Sequence, residues 1–278
     1  MAIDRICISL NNRCNLQCVY CHFHEKSAAI QESPMDVLRV LDNVTDYMET
    51  RQIPLFKIGF VGNGEPLLSY PLLKECVLHI QDHLRSGRIA AYTITNGTLT
   101  NEENLTFFRE HHVTVGFSLD GLREIHDKLR CGTFHKVMRG ISLYRTLYGV
   151  NPPLNCTVGQ DVLDHAEETI SFFEGFSSRI TFSRMIGKHG VSMRDFQNFL
   201  ERASERLNVR FGGYDCTMYG GLCGAGINNL FYANGYVYLC GNCIDLPMKY
   251  PAGTPLDKIR FAVPDFDRRH CYKEVFGP

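Results

Sequence analysis

The sequence contains no tryptophan, so aromatic packing falls to its 18 phenylalanines and 13 tyrosines. It has no excess of charge: 29 basic residues stand against 30 acidic ones, a net charge of −1. That leaves out the basic footprint of a nucleic-acid-binding domain and the cationic face that draws a protein to an acidic membrane. No apolar run reaches the ~18 residues a transmembrane helix needs. The N-terminal MAIDRICISLNN lacks the charged, apolar and small-residue zones of a secretory signal. No internal repeat, low-complexity tract or linker stands out. These absences point to a cytoplasmic protein with no nucleic-acid or membrane partner, and 278 residues suffice for one large domain with a small appendage.

Cysteine is abundant, at 12 residues. In a reducing cytosol that usage speaks for metal binding or catalysis rather than disulfides. Cys14, Cys18 and Cys21 lie within eight residues, and Cys216, Cys223, Cys240, Cys243 and Cys271 crowd the last quarter. Cys7, Cys76, Cys131 and Cys156 are scattered and read as small buried hydrophobes.

Short apolar, β-branched runs recur at 5–10, 55–61, 90–95, 113–119, 154–158 and 179–183 and read as strands. Helical spacing fills the intervals at 35–51, 70–87, 101–112, 134–148 and 164–175. Ser33-Pro34 opens one helix, and Gly87 closes another. Strand–helix alternation predicts parallel βα units, and six of them resemble most of a βα barrel. One more amphipathic helix covers 192–208, after which Gly, Tyr and Cys dominate. The clearest signal there is FYANGYVYL (231–239), with Asn234-Gly235 as a type I′ hairpin turn. The boundary falls between about 185 and 212, giving a barrel at 1–185, a linking helix at 186–212 and a cysteine-rich domain at 213–278.

The trio Cys14-x3-Cys18-x2-Cys21 follows the first strand directly, in NNRCNLQCVYCHF. Three thiolates on one loop can converge on a soft metal and leave one coordination position open, as an iron–sulfur cubane or a catalytic zinc would use it. A structural zinc loop is the plainer alternative. With Tyr20 before its last cysteine, the loop resembles the CxxxCxxC signature of the radical S-adenosylmethionine (SAM) enzymes. GNGEPLL (62–68) resembles that family's GGEP segment, with Asn63 in place of the first glycine. TNG (95–97) recurs in the family near SAM, and FSLDGLREIHDKLR (117–130) is similar to a stretch of its peptide-modifying branch. The four segments come in order at successive strand ends.

The resemblance implies a partial (β/α)6 TIM-like barrel in which Cys14, Cys18 and Cys21 hold a [4Fe–4S] cluster whose open iron is chelated by SAM. It implies that Tyr20, Gly64, Glu65, Pro66, Asn96, Ser118 and Arg130 contact SAM. Glu65 would accept from the SAM ammonium, Ser118 would meet the ribose, and Arg130 would grip the carboxylate bidentately. His22, His24, His126 and His189 show no metal-ligand spacing and are expected to be solvated.

Cys223-x11-Gly235-x4-Cys240 resembles the opening of the SPASM and twitch domains, which bind auxiliary clusters. The chain offers too few further cysteines for a full SPASM domain, which implies a small twitch-like domain with one auxiliary [4Fe–4S] cluster. Cys216, Cys223 and Cys240 are its ligands, with Cys243 or Cys271 as the fourth. A zinc ribbon is the alternative. The expected function is reductive cleavage of SAM to a 5′-deoxyadenosyl radical that abstracts hydrogen from substrate, with electrons from a flavodoxin- or ferredoxin-type donor in an anaerobic or oxygen-protected setting. A peptide or protein side chain is the favoured substrate, for crosslinking, epimerisation or oxidation. Dehydrogenation or epimerisation of a sugar or aminocyclitol is the alternative, and a non-catalytic iron–sulfur or zinc scaffold is the alternative of another class. In sulfatase-maturing members an aspartate assigned as base follows the equivalent of Cys240. Here that position is Gly241, with Asp245 nearby, and Cys131 is a candidate hydrogen donor.

Overall fold

The computed structural model describes residues 2–21, 31–210 and 214–277; His22 and His24 lie outside them. In β1 (Arg5–Ile8) the side chains alternate: Ile6 and Ile8 are fully buried under helices, while Arg5 and Cys7 face the other side. Pro34 then starts α1 (Pro34–Arg51), whose Val37, Val40, Leu41, Val44 and Met48 form one buried stripe. The pattern continues through β2 (Phe56–Phe60), α2 (Tyr70–His79), α3 (Gln81–Arg85), β3 (Ile89–Thr95), α4 (Glu102–Glu110) and β4 (Thr114–Ser118). It goes on through α5 (Arg123–Leu129), α6 (Phe134–Tyr148), β5 (Leu154–Val158), α7 (Gln160–Asp164), α8 (Ala166–Glu174), β6 (Arg179–Arg184), α9 (Met193–Ser204) and β7 (Asn208–Val209).

Strands β1 to β7 are parallel and hydrogen-bonded in sequence order. The chain is therefore mixed α/β with a parallel sheet, the expected partial (β/α)6 barrel. All strand C-termini share one edge, where loops carry chemistry without disturbing the sheet. Two helices differ from expectation. The run at 70–87 bends at Ile80, which turns both Ile80 and Leu84 into the core, and the run at 164–175 is divided at His165. Gly87 has φ 71° just beyond α3, as a helix stop requires.

Phenylalanine fills the place of tryptophan. Phe56, Phe60, Phe108, Phe117, Phe173 and Phe182 are fully buried, each contributing roughly 1.5–3 kcal/mol of burial. Phe182 meets Phe173 and Phe199 edge-on at centroid distances of 5.7 and 4.9 Å.

The C-terminal region adds β8 (Tyr214–Asp215), β9 (Leu222–Cys223), β10 (Asn229–Ala233), β11 (Tyr236–Tyr238), β12 (Lys249–Pro251) and α10 (Tyr272–Phe276). β10 pairs in parallel with β1, from Arg5↔Asn229 to Ile8↔Tyr232, so one sheet runs across the sequence boundary between 185 and 212. Asn234 (φ 54°) and Gly235 (φ 76°) make the expected I′ turn between β10 and β11. Glu32 clamps that turn: its carboxylate accepts from Asn234 N–H at 2.6 Å, Gly235 N–H at 3.3 Å and Tyr232 Oη at 3.1 Å. Burial raises the Glu32 pKa, and these bonds oppose the rise. The turn Thr217–Tyr219 packs on β6 and the turn Gly241–Cys243 on β10, so this region reaches from one side of the partial barrel to the other. Ion pairs Arg184–Glu274 (2.5 Å) and Lys273–Asp245 (2.7 Å) fix α10. No helix among the described residues is long and apolar enough to cross a membrane.

Candidate functional site

The cysteine loop leaves β1 at the C-terminal edge of the sheet and is strapped from two sides. On one side Asn11 accepts from Arg13 N–H (2.8 Å) through Oδ1 and donates through Nδ2 to Glu65 O (3.2 Å) and Ser69 Oγ (2.7 Å). Glu65 N–H donates to Arg13 O at 2.8 Å. Gly64 is bare because the loop lies against it: a Cβ there would stand 2.1 Å from Asn11 Oδ1 and 2.3 Å from Arg13 O. The close approach it permits is therefore that of the cysteine loop.

Glu65 is buried, and its carboxylate accepts from Leu67 N–H (3.1 Å), Thr95 Oγ1 (2.7 Å) and Asn96 N–H (2.8 Å). It thereby ties the end of β2 to the end of β3. Burial raises its pKa, and those same donors oppose the rise. Pro66 opens the short turn that follows. Asn96 donates from Nδ2 to Asn15 Oδ1 at 2.8 Å and lies 3.9 Å from Cys14 Sγ.

On the other side Val19 N–H donates to Leu129 O at 3.0 Å. Tyr20 Oη donates to Asp120 Oδ2 at 2.6 Å, and Arg130 engages the same carboxylate through Nε (2.6 Å) and Nη2 (3.3 Å). The guanidinium lies 5.4 Å from the Tyr20 ring centroid. Ser118 ends β4 half-buried, one strand over. Asp120 is the residue that sequence reasoning passed over; its only signal was a place inside SLDG.

His126 corrects an expectation, for it is fully buried rather than solvated. Its Nδ1 accepts from Asp120 N–H at 3.2 Å, which assigns the proton to Nε2, 3.2 Å from Thr133 Oγ1. Burial lowers its pKa from 6.5 to about 4. A base with a depressed folded pKa stabilises fully above its unfolded value and loses that contribution as pH falls through the folded one. Between pH 6.5 and 4 this amounts to about 3 kcal/mol. Urea midpoints at pH 7 and 4.5 should show it, and His126→Asn, which keeps an acceptor but does not titrate, should flatten the difference. An unchanged pH slope in that variant would count against the assignment.

Burial raises the pKa of Cys14, and it raises that of Cys18 to about 12 against the opposing charge of Arg130. Cys21 adds to the rise at Cys14, and Cys14 and Cys21 both add to the rise at Cys18, so the three share one neighbourhood. Burial keeps Cys14 and Cys18 protonated until a cation joins them, and three soft thiol donors on one loop suit an iron–sulfur cluster. Cys14 Sγ accepts from Leu16 N–H at 3.4 Å, the kind of bond that tunes a sulfur where it binds a cluster. Among the described residues no three His, Cys, Asp or Glu side chains form a cage for a single metal ion.

The C-terminal cysteines converge as well. Cys216 and Cys271 have pKa values raised by burial, with Cys240 and Cys223 adding to each. Cys240 is lowered to about 7 chiefly by a hydrogen bond from the Cys243 thiol, which is itself raised. Asp245 is 2.7 Å from Lys273, so its charge is balanced. Of the scattered cysteines, Cys76 and Cys156 are buried as expected. Cys7 is half-buried with Sγ 3.5 Å from Tyr92 Oη, and Cys131 is exposed at φ 59°, so it does not pack in the core. His189 lies in an unburied turn.

The serine-type anaerobic sulfatase-maturating enzyme of Bacteroides thetaiotaomicron is 35% identical over 225 residues, covering 74% of this chain and 54% of the relative. The cysteine-type enzyme of Clostridium novyi is 27% identical over 212 residues, covering 69% and 56%. The chain thus spans about half the length of these curated relatives. Among solved structures, SuiB of Streptococcus suis bound to S-adenosylmethionine superposes with TM-score 0.73 at 15% identity, covering 92% of this chain and 65% of that one. The anSMEcpe structure with bound AdoMet gives 0.69 at 21%, covering 92% and 79%. Both likenesses are of fold. The Radical SAM superfamily model matches residues 8–203, spanning the strapped cysteine loop and the ends of β2 to β6, and the chain belongs to that superfamily.

Proposed function

We propose that the chain modifies a peptide or protein side chain by radical SAM chemistry. One observation carries this reading: three half-buried thiols sit on a loop fixed from both sides at the mouth of a parallel barrel, beside a buried arginine. Cys14, Cys18 and Cys21 hold the [4Fe–4S] cluster, and Arg130, Ser118, Asn96, Tyr20 and the Gly64–Pro66 turn surround the SAM site. Bound there, the reduced cluster and SAM supply a 5′-deoxyadenosyl radical for hydrogen abstraction.

The protein's own part is to fix that site and shape the barrel mouth. Glu65 does so indirectly, since its carboxylate is committed to three donors of its own chain. The peptide assignment draws on the sulfatase-maturating relatives and on the structures of SuiB bound to its precursor peptide SuiA and of anSMEcpe bound to the Cp18Cys peptide. A flavodoxin- or ferredoxin-type protein is the proposed electron source. The barrel at 1–185 and the twitch-like region at 213–278 are proposed as functional divisions of one sheet.

Cys216, Cys223, Cys240 and Cys271 are the proposed auxiliary set. Cys243 is the alternative fourth ligand, since it and Cys271 both neighbour Cys240. Formylglycine formation on the sulfatase-maturing pattern is disfavoured. A side chain at position 241 would begin 3.1 Å from the Phe231 ring, and Asp245 is tied to Lys273. Reconstitution with iron and sulfide should give about eight irons per chain and formation of 5′-deoxyadenosine under reduction. About four irons with stoichiometric zinc would remove the auxiliary cluster, and no SAM cleavage would remove the whole reading.

A further inference from the structure

We infer that Asp120 is a positioning residue that joins the cysteine loop to Arg130, so that SAM affinity depends on a carboxylate that does not touch SAM. The inference rests on the proposed placement of SAM at Arg130. Asp120 is 0% exposed, and four donors use its carboxylate. Oδ2 accepts from Tyr20 Oη (2.6 Å) and Arg130 Nε (2.6 Å), and Oδ1 accepts from Arg130 Nη2 (3.3 Å) and Thr157 N–H (2.8 Å). Two oxygens offer about four lone-pair sites, so this carboxylate is saturated and has no capacity left for a metal or a substrate proton. What remains is orientation. Nε and Nη2 of Arg130 are taken, which aims the third guanidinium nitrogen, Nη1, away from Asp120.

The Arg130 guanidinium lies 5.4 Å from the ring centroid of Tyr20, which places it beside the cysteine loop. Tyr20 binds the same carboxylate from within that loop, immediately before Cys21. Displacing either the loop or the guanidinium therefore strains a shared acceptor. Asp120 is itself held from behind, because its N–H is anchored on His126 of α5. The consequence is linkage: seating the loop pre-orients the arginine, and an anion on the arginine steadies the loop.

The test is a double-mutant cycle on SAM affinity, measured without turnover by equilibrium dialysis on reconstituted protein. Asp120→Asn should weaken SAM binding about tenfold or more and Tyr20→Phe about threefold to tenfold. The double variant should bind no more weakly than Asp120→Asn, because both changes break one unit. The reduced-cluster EPR spectrum should also respond less to added SAM in each variant. A purely structural role would lower melting temperatures while leaving the affinity of the folded fraction unchanged, and that result overturns the inference. So do effects that multiply in the double variant. Should Asp120→Asn not fold, an unchanged SAM affinity in Tyr20→Phe is sufficient to refute it. Wild-type protein that binds no SAM would instead refute the functional reading on which the inference stands.

Discussion

Cys18→Ala should leave a folded protein with about four irons per chain instead of about eight and no detectable 5′-deoxyadenosine. The side chain is small and half-buried on a loop, so its loss opens little cavity and the sheet beneath is untouched. The C-terminal cysteines lie in a separate neighbourhood, whose pKa shifts involve none of the first three, so their iron should remain. Removing a direct ligand should exceed the roughly 10–100-fold loss typical of second-shell partners at metal sites. Iron analysis together with chromatography of the SAM cleavage products checks both halves. Wild-type levels of 5′-deoxyadenosine in this variant would refute the assignment of the cluster.

Arg130→Met should have the largest effect on stability. The Arg130 side chain is 10% exposed and Asp120 is fully buried, and removing one partner of such a pair costs about 3–5 kcal/mol because the other charge stays behind unpaired. Tyr20 and Thr157 would remain as donors to Asp120, but neither carries charge. For a chain of this length the melting temperature should fall by roughly 10 °C. Combining the change with Asp120→Asn should recover part of that fall, since no buried charge is then left alone. A decrease under about 1 kcal/mol for Arg130→Met would mean that the pair is solvated, contrary to its burial here.

What could be read from the sequence was local. The strand and helix periods gave the barrel, and the spacing of Cys14, Cys18 and Cys21 marked the loop, because both patterns close within a few residues. Partnerships across strands were not legible. SLDG drew notice for Ser118 and, further on, Arg130, yet nothing in a run of letters marks Asp120 as the acceptor shared by Tyr20, a hundred residues earlier, and Arg130. The motif marks Glu65 and Gly64 but not their partners within the chain: the carboxylate also accepts from Leu67, Thr95 and Asn96, and the missing Cβ makes room for Asn11 and Arg13. His126 reads as solvated because it belongs to no metal-ligand spacing, and nothing local shows that the middle of α5 turns it inward. The clamp of Glu32 on the Asn234-Gly235 turn spans some two hundred residues and has no local signature at all.

The pairing of β1 with β10 sets an order of events during synthesis. The loop with Cys14, Cys18 and Cys21 follows β1 at once, yet the strand's partner at Asn229–Ala233 emerges about 220 residues later. At roughly 5–20 residues per second that interval lasts about 10–45 s. Throughout it one side of β1 is a bare edge, open to pairing with another chain, and the thiols of Cys14, Cys18 and Cys21 wait beside it. Contacts this distant in sequence form late, so the nascent chain passes through an interval of sticky, oxidisable immaturity that the finished fold conceals.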